Sequence, residues 1–322
     1  MVFVNKHISY GFKDEEESSI ANSMFDIHQY GYDASGVFDY DSIEQEALKI
    51  KPKLIVCGAA KYPKLMDVKR FRKIADSCGA LLMFDMSNYV GLIAAEIIEN
   101  DLKHAHIITA TSDGVLQGPR LGMIFALKSE GEVSLIDKIN EAVFPGFQGG
   151  PHNHYITALA HSLHLASGTE FKEFQKQALF NSKSLAKGLQ KRQLDVFLNG
   201  TENHTVIMDL NSINVDGRFI RYWFDKLGIL TKTAPLLPNP HVLREPGLWM
   251  GTVPMTMRGL KENDFDVIAE IIRSSINVGL NNDLFKSESQ FVSKVDRLLE
   301  SDEDTRDVKE AVQEFASRFT FY

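Results

Sequence analysis

Short apolar runs alternate with stretches of helical spacing from about residue 25 to residue 126, and this rhythm predicts βαβ units with a mostly parallel sheet. The runs FDIHQY (25–30), LIVCGA (54–59), LLMFDM (81–86), IITATS (107–112) and GMIFAL (122–127) predict strands. Their continuous apolar character predicts burial on both faces. Between 68 and 78, Val68, Phe71, Ile74 and Ala75 recur on one helical face and Gly79 follows as a terminator, so a helix packed on the sheet is expected. In open sheets of this kind ligands lie beyond the carboxyl ends of the strands, which places an expected site at the loops starting near Ala59, Asp85 and Ser112.

From residue 153 to about 189 the pattern is helical, and a new alternation begins with HTVIMDL (204–210), which marks a second domain. Its predicted helix over 216–228 sets Phe219, Ile220, Trp223, Phe224 and Leu227 on one side, and Phe265, Ile268, Ala269, Ile272 and Ile276 repeat the arrangement further on. These side chains read as core. The acidic stretch 301–319 keeps Val308, Val312 and Phe315 at helical spacing and is expected to form a solvated amphipathic helix. No internal repeat or low-complexity linker is present.

Composition narrows the function classes. With 322 residues, 44% of them hydrophobic and 24% charged, the chain is long enough for two packed domains. A formal charge of -8 disfavours a broad basic face for nucleic acid. Cys57 and Cys78 read as core thiols rather than a disulfide framework. The first residues lack an apolar segment of signal-peptide length, and no stretch approaches the roughly 20 apolar residues of a bilayer span, so a cytoplasmic protein that does not enter a membrane is expected. His152 and His154 have no carboxylate or cysteine at ligand spacing, so no metal is expected there.

The stretch AVFPGFQGGPHNH (142–154) resembles the signature that serine hydroxymethyltransferases carry between their two domains. In the same order as that family stand YDASGVFDYDSIEQEALKIKPKLIVCGA, FRKIADSCGALLMFDM, GPRLGMIF and GTVPMTMRGLKENDF, so the resemblance runs over nearly the whole chain. It implies an α/β fold of the fold-type I pyridoxal phosphate transferases (aspartate aminotransferase-like). The expected division is an incomplete large domain with a mostly parallel sheet over 1–165 and a smaller α/β domain over 166–322. It also implies an oligomer, and a cofactor that in the family is bound as an imine to a lysine.

Several positions depart from the family pattern. The lysine of the family's Thr-Thr-Thr-Thr-His-Lys run falls at Gly114, and its neighbouring histidine at Asp113, after Thr109, Ala110, Thr111 and Ser112. Glycine has no amine with which to form an imine, and Asp113 brings negative charge toward a phosphate site. Asp85, which would pair with the pyridine nitrogen, is kept, but the histidine three residues later reads Asn88. The stacking histidine falls at Tyr10, and the serine pair of the Ser-Ala-Tyr-Ser loop at Ala60 and Pro63, beside Lys61. The arginine that grips the substrate carboxylate reads Trp249, a single indole donor. Gly149 and Gly150, Arg120 and Arg258 match family positions, the two glycines those that reach a neighbouring subunit's phosphate.

The resemblance also implies that the chain begins within the family's large domain, leaving a strand edge bare for another chain to cover. Taken together, the departures predict a catalytically inactive relative that holds no cofactor, with Tyr10, Asp85, Ser112, Gly149 and Gly150 as vestiges of its site. Such a protein would act as a scaffold or noncatalytic subunit, as a homodimer or in a hetero-oligomer with an active family member or another complex. The alternatives are a residual serine/glycine hydroxymethyltransferase of one-carbon metabolism completed by a partner chain, and a small-molecule sensor.

Overall fold

A computed structural model describes residues 1–5, 20–33, 35–99, 102–127, 134–234, 236, 245–286 and 288–319. The chain divides into two compact units. The first comprises Met1–Gly31, Phe38–Ala60 and Met66–Gln175, and the second Tyr32–Val37, Lys61–Leu65 and Lys176–Tyr322.

The first unit is built on six strands: β1 (Val2–Asn5), β2 (Ile27–Tyr30), β3 (Leu54–Cys57), β4 (Leu81–Asp85), β5 (Ile107–Thr111) and β6 (Gly122–Ala126). Their order is β2-β1-β3-β4-β5-β6, parallel except for the antiparallel pairing of β5 with β6. The helices of this part of the chain are α1 (Ile20–Met24), α2 (Tyr40–Ile50), α3 (Val68–Cys78), α4 (Val90–Ala94), α5 (Leu135–Glu141), α6 (Asn153–Ala166) and α7 (Thr169–Lys191), the last continuing into the second unit.

The α3 expectation holds in detail. Asp67 caps the helix by accepting from Arg70 N at 2.8 Å, Gly79 ends it in the left-handed region at φ 74°, and Val68, Phe71, Ile74 and Ala75 are its buried face. Phe71 meets the rings of Tyr30 and Tyr40, each at 5.3 Å, so this one side chain ties α3 to β2 and α2. Burying it contributes about 2–3 kcal/mol.

The predicted burial of every strand on both faces fails at β6. Ile124 and Phe125 are half exposed, because β6 pairs only with β5 and the described residues cover neither of its faces. The same exposure extends over Phe144, Phe147, Ile156 and Leu165. β1, at the start of the chain, was not among the predicted strands, yet it lies inside the sheet between β2 and β3.

The second unit carries β7 (Asp195–Val196), β8 (Thr205–Asp209), β9 (Lys232–Ala234) and β10 (Gly247–Gly251) in the antiparallel order β7-β8-β10-β9. Packed with them are α8 (Gly217–Leu227), α9 (Val253–Met257), α10 (Glu262–Asn281), α11 (Phe291–Ser301) and α12 (Glu303–Ser317). Trp223 of α8 is fully buried and donates its Nε1 to Ser275 O at 2.8 Å, so the largest core side chain has its polar atom satisfied. α12 is less solvated than its composition suggests, since Val308 and Phe315 join the core of this unit. Among the described residues no helix is long and apolar enough to cross a membrane.

Candidate functional site

At the carboxyl end of the parallel strands in the first unit, β4 stops at Asp85 and the chain turns into α4. Asp85 accepts from Ser87 N at 2.9 Å, Ser87 Oγ accepts from Thr111 N at 3.1 Å, and Met86 N donates to Thr109 O at 2.9 Å. These bonds pin the turn after β4 against β5. Gly58, just past β3, makes room for it: a Cβ there would lie 2.9 Å from both the Cβ and the carbonyl oxygen of Asp85. The sequence reading passed over Gly58, although a glycine closing an apolar strand run signals close backbone approach.

Two polar atoms of this turn are left over. Asn88 Nδ2, three residues after Asp85, and Thr109 Oγ1, on the residue in register with Asp85, are buried and have no hydrogen-bond partner. Buried donors are almost always satisfied in folded proteins, so an orphaned pair flanking a strand-end carboxylate marks a place where a polar ligand would be favoured.

The turn after β5 is closed on itself. Ser112 is fully buried; its hydroxyl is shared among Pro119 O, Leu121 O and Leu121 N, and its carbonyl accepts from Gly118 N at 2.7 Å. Ser112 therefore braces the loop and has no hydroxyl capacity aimed elsewhere. Asp113 is half-buried, and the exposed Gly114 opens a 3-10 turn, Gly114–Leu116, at φ 63°. A Cβ on Gly114 would meet nothing within 4 Å. The space over position 114 is open, but its left-handed backbone, at φ 63°, is one that side chains rarely adopt.

In the second unit Trp249 lies on β10, in register with Ile207 of β8 and Lys232 of β9. It is half-buried, and its Nε1 is a buried donor without a partner. Arg258 donates to the Ala316 and Phe319 carbonyls and so closes the carboxyl end of α12. Lys61 is half-buried in this unit, in the stretch Lys61–Leu65. Gly149 and Gly150 are exposed, have no left-handed φ and leave open space for a Cβ, so nothing within the chain demands glycine at either position. Arg120 is exposed, and the rings of His152 and His154 stand 5.8 Å apart near the start of α6. Tyr10 lies outside the described residues.

The family model for serine hydroxymethyltransferase matches residues 4–272. The chain belongs to the serine hydroxymethyltransferase family. It is 36% identical over 271 residues to the serine hydroxymethyltransferase of Plasmodium falciparum, which covers 84% of this chain and 61% of that protein. To serine hydroxymethyltransferase 3, chloroplastic, of Arabidopsis thaliana it is 36% identical over 322 residues, covering 97% and 60%. To the mitochondrial serine hydroxymethyltransferase of Candida glabrata it is 36% identical over 323 residues, covering 96% and 66%. The chain thus spans less than two thirds of the length of each of these relatives. The family is of the fold-type I pyridoxal phosphate class, and the mostly parallel sheet of the first unit agrees with it.

Two expectations are corrected here. The inactive protein and the absence of a cofactor were both inferred from the replacements at Asn88, Asp113, Gly114 and Trp249. Relatives at about 36% identity over most of the chain are named as the enzyme, and the family is one that binds pyridoxal phosphate, so neither expectation stands. The physical reason is that each replacement removes one group from one position and leaves the rest of the cradle. Asp85 still ends β4, Thr109 still faces it across the register, and position 114 is still open. Asp85 and the unpaired Asn88 Nδ2 and Thr109 Oγ1 fit a polar group held by hydrogen bonds.

Proposed function

We propose that this chain forms part of a serine hydroxymethyltransferase of one-carbon metabolism, with its site completed by a partner chain. The reaction is transfer of the serine hydroxymethyl carbon to a folate carrier, leaving glycine. The observation that carries this reading is the cradle at the ends of β4 and β5: a carboxylate with two orphaned polar atoms around it, in a chain of this family. Asp85 would face the pyridine nitrogen of pyridoxal phosphate, and Asn88 and Thr109 would hold its polar substituents. When bound, the cofactor supplies an electron sink for breaking a bond at the amino-acid α carbon.

The need for a partner rests on the edge strand β6 and the apolar side chains exposed with it, Ile124, Phe125, Phe144 and Phe147. An unpaired strand edge and exposed aromatic side chains each favour association. A second copy or a longer family member fits this surface, and we place the assembly in the cytoplasm. The test is serine- and folate-dependent glycine formation by the protein isolated from its native cells together with its bound chains. Turnover that tracks the assembled species supports the proposal. A homogeneous assembly with pyridoxal phosphate present and no glycine formed overturns it.

A further inference from the structure

We infer that this chain holds pyridoxal phosphate by hydrogen bonds alone, so that the cofactor exchanges with solution and is not tethered to the protein. The inference rests on the function proposed above and concerns how the same site retains its cofactor. Three observations carry it. Gly114 has no amine, and the loop that carries it is braced: Ser112 is bonded to Pro119 and Leu121, and Gln175 Nε2 holds Val115 O at 2.7 Å. The turns that follow β4 and β5, residues 86–89 and 112–118, contain no lysine, and the connection after β3 has its first at Lys61. Finally, Asn88 Nδ2 and Thr109 Oγ1 are polar atoms already buried and unpaired before any ligand arrives. Their desolvation has been met in folding, so a ligand that pairs with them gains most of each hydrogen bond.

A cofactor tethered through its aldehyde and one held only by its ring substituents differ in a measurable way. Pyridoxamine phosphate keeps the ring, the hydroxyl and the phosphate but has no aldehyde with which to condense on an amine. Hydrogen bonding alone predicts that the two ligands bind alike, whereas a tether favours the aldehyde strongly.

The experiment is a titration of the full chain with pyridoxal phosphate and with pyridoxamine phosphate, followed by calorimetry. A stoichiometrically loaded sample is then reduced with borohydride and weighed intact by mass spectrometry. The expected result is saturable, dialysable binding of both ligands with affinities within about threefold, less than one hydrogen bond's contribution. The mass of the reduced chain should be unchanged. Thr109→Val, nearly isosteric and expected to fold, should weaken both ligands about tenfold. Gly114→Lys, checked for folding by its urea midpoint because the φ of 63° strains a side chain there, should convert the same protocol to a stoichiometric mass gain.

A stoichiometric mass gain on the unaltered chain, at Lys61 or any other lysine, would overturn the inference and leave the proposed function standing. Failure of both ligands to bind the chain and its assembly would instead overturn the proposed function. Equal binding that Thr109→Val does not change would overturn the assignment of the cradle.

Discussion

Gln175 of α7 reaches the turn that carries Gly114, donating its Nε2 to Val115 O at 2.7 Å across sixty residues of sequence. The side chain is fully buried, and no other bond to that carbonyl is found among the described residues. Gln175→Leu keeps most of the volume but leaves the carbonyl without a donor. Because Gln175 Oε1 is itself buried and unpaired, its removal offsets part of that loss, and the unfolding free energy should fall by about 1 kcal/mol, read as a lower urea midpoint at unchanged slope. An unchanged midpoint would show that the turn is held by other contacts.

Gly91 of α4 completes the same contact. A Cβ there would lie 2.5 Å from Val115 Cγ1 and 2.7 Å from Gln175 Nε2, both in packed surroundings. Gly91→Ala should therefore cost about 1–3 kcal/mol through overpacking. Because the clash is partly with Gln175, the cost should shrink in a Gln175→Ala background, and a double-mutant cycle measures that coupling. Strict additivity would mean that the three residues do not act together.

His204 gives the second unit a pH dependence. Burial alone pushes its imidazole down from the usual 6.5 to about 4, and its Nδ1 has no partner. Between about pH 6.5 and pH 4 the unfolded chain binds a proton there that the folded chain does not. Stability is therefore fully present above the unfolded value and is lost as the pH falls through this window, by about 3 kcal/mol in all. Urea unfolding at pH 7 and pH 5 should show the loss, and His204→Gln should flatten it. A variant that keeps the full pH slope would place the proton elsewhere.

The sequence made α3, α8 and α10 legible because each has a strong one-sided apolar pattern and good end signals, such as Asp67 and Gly79 around α3. It made the candidate site legible as a list of positions, since Asp85 and Thr109 match family positions and Asn88 stands where the family has a histidine. Their satisfaction was not legible. That Ser112 spends its hydroxyl on Pro119 and Leu121 while Thr109 keeps its own unpaired depends on how the turn after β5 folds back, which no local pattern encodes. The exposure of β6 was hidden for a related reason: GMIFA reads as a buried strand whichever chain covers it. The inactive reading, drawn from the departures taken together, is overturned by relatives at about 36% identity that are named as the enzyme.

That cradle yields a prediction with opposite signs for stability and binding. Thr109 Oγ1 is buried and unpaired, so the folded chain bears its desolvation without a compensating bond. Thr109→Val replaces the hydroxyl with a methyl of nearly the same shape and should raise the unfolding free energy of the ligand-free chain by about 1 kcal/mol. The same change removes a hydrogen bond to the cofactor, so saturating pyridoxamine phosphate should raise the urea midpoint of the variant less than that of the unaltered chain. Stability and ligand response would then move in opposite directions, as expected where a site is kept polar at a cost to the fold. A Thr109→Val chain less stable than the original without ligand would show that the hydroxyl already has a partner in solution, and that the cradle is smaller than described.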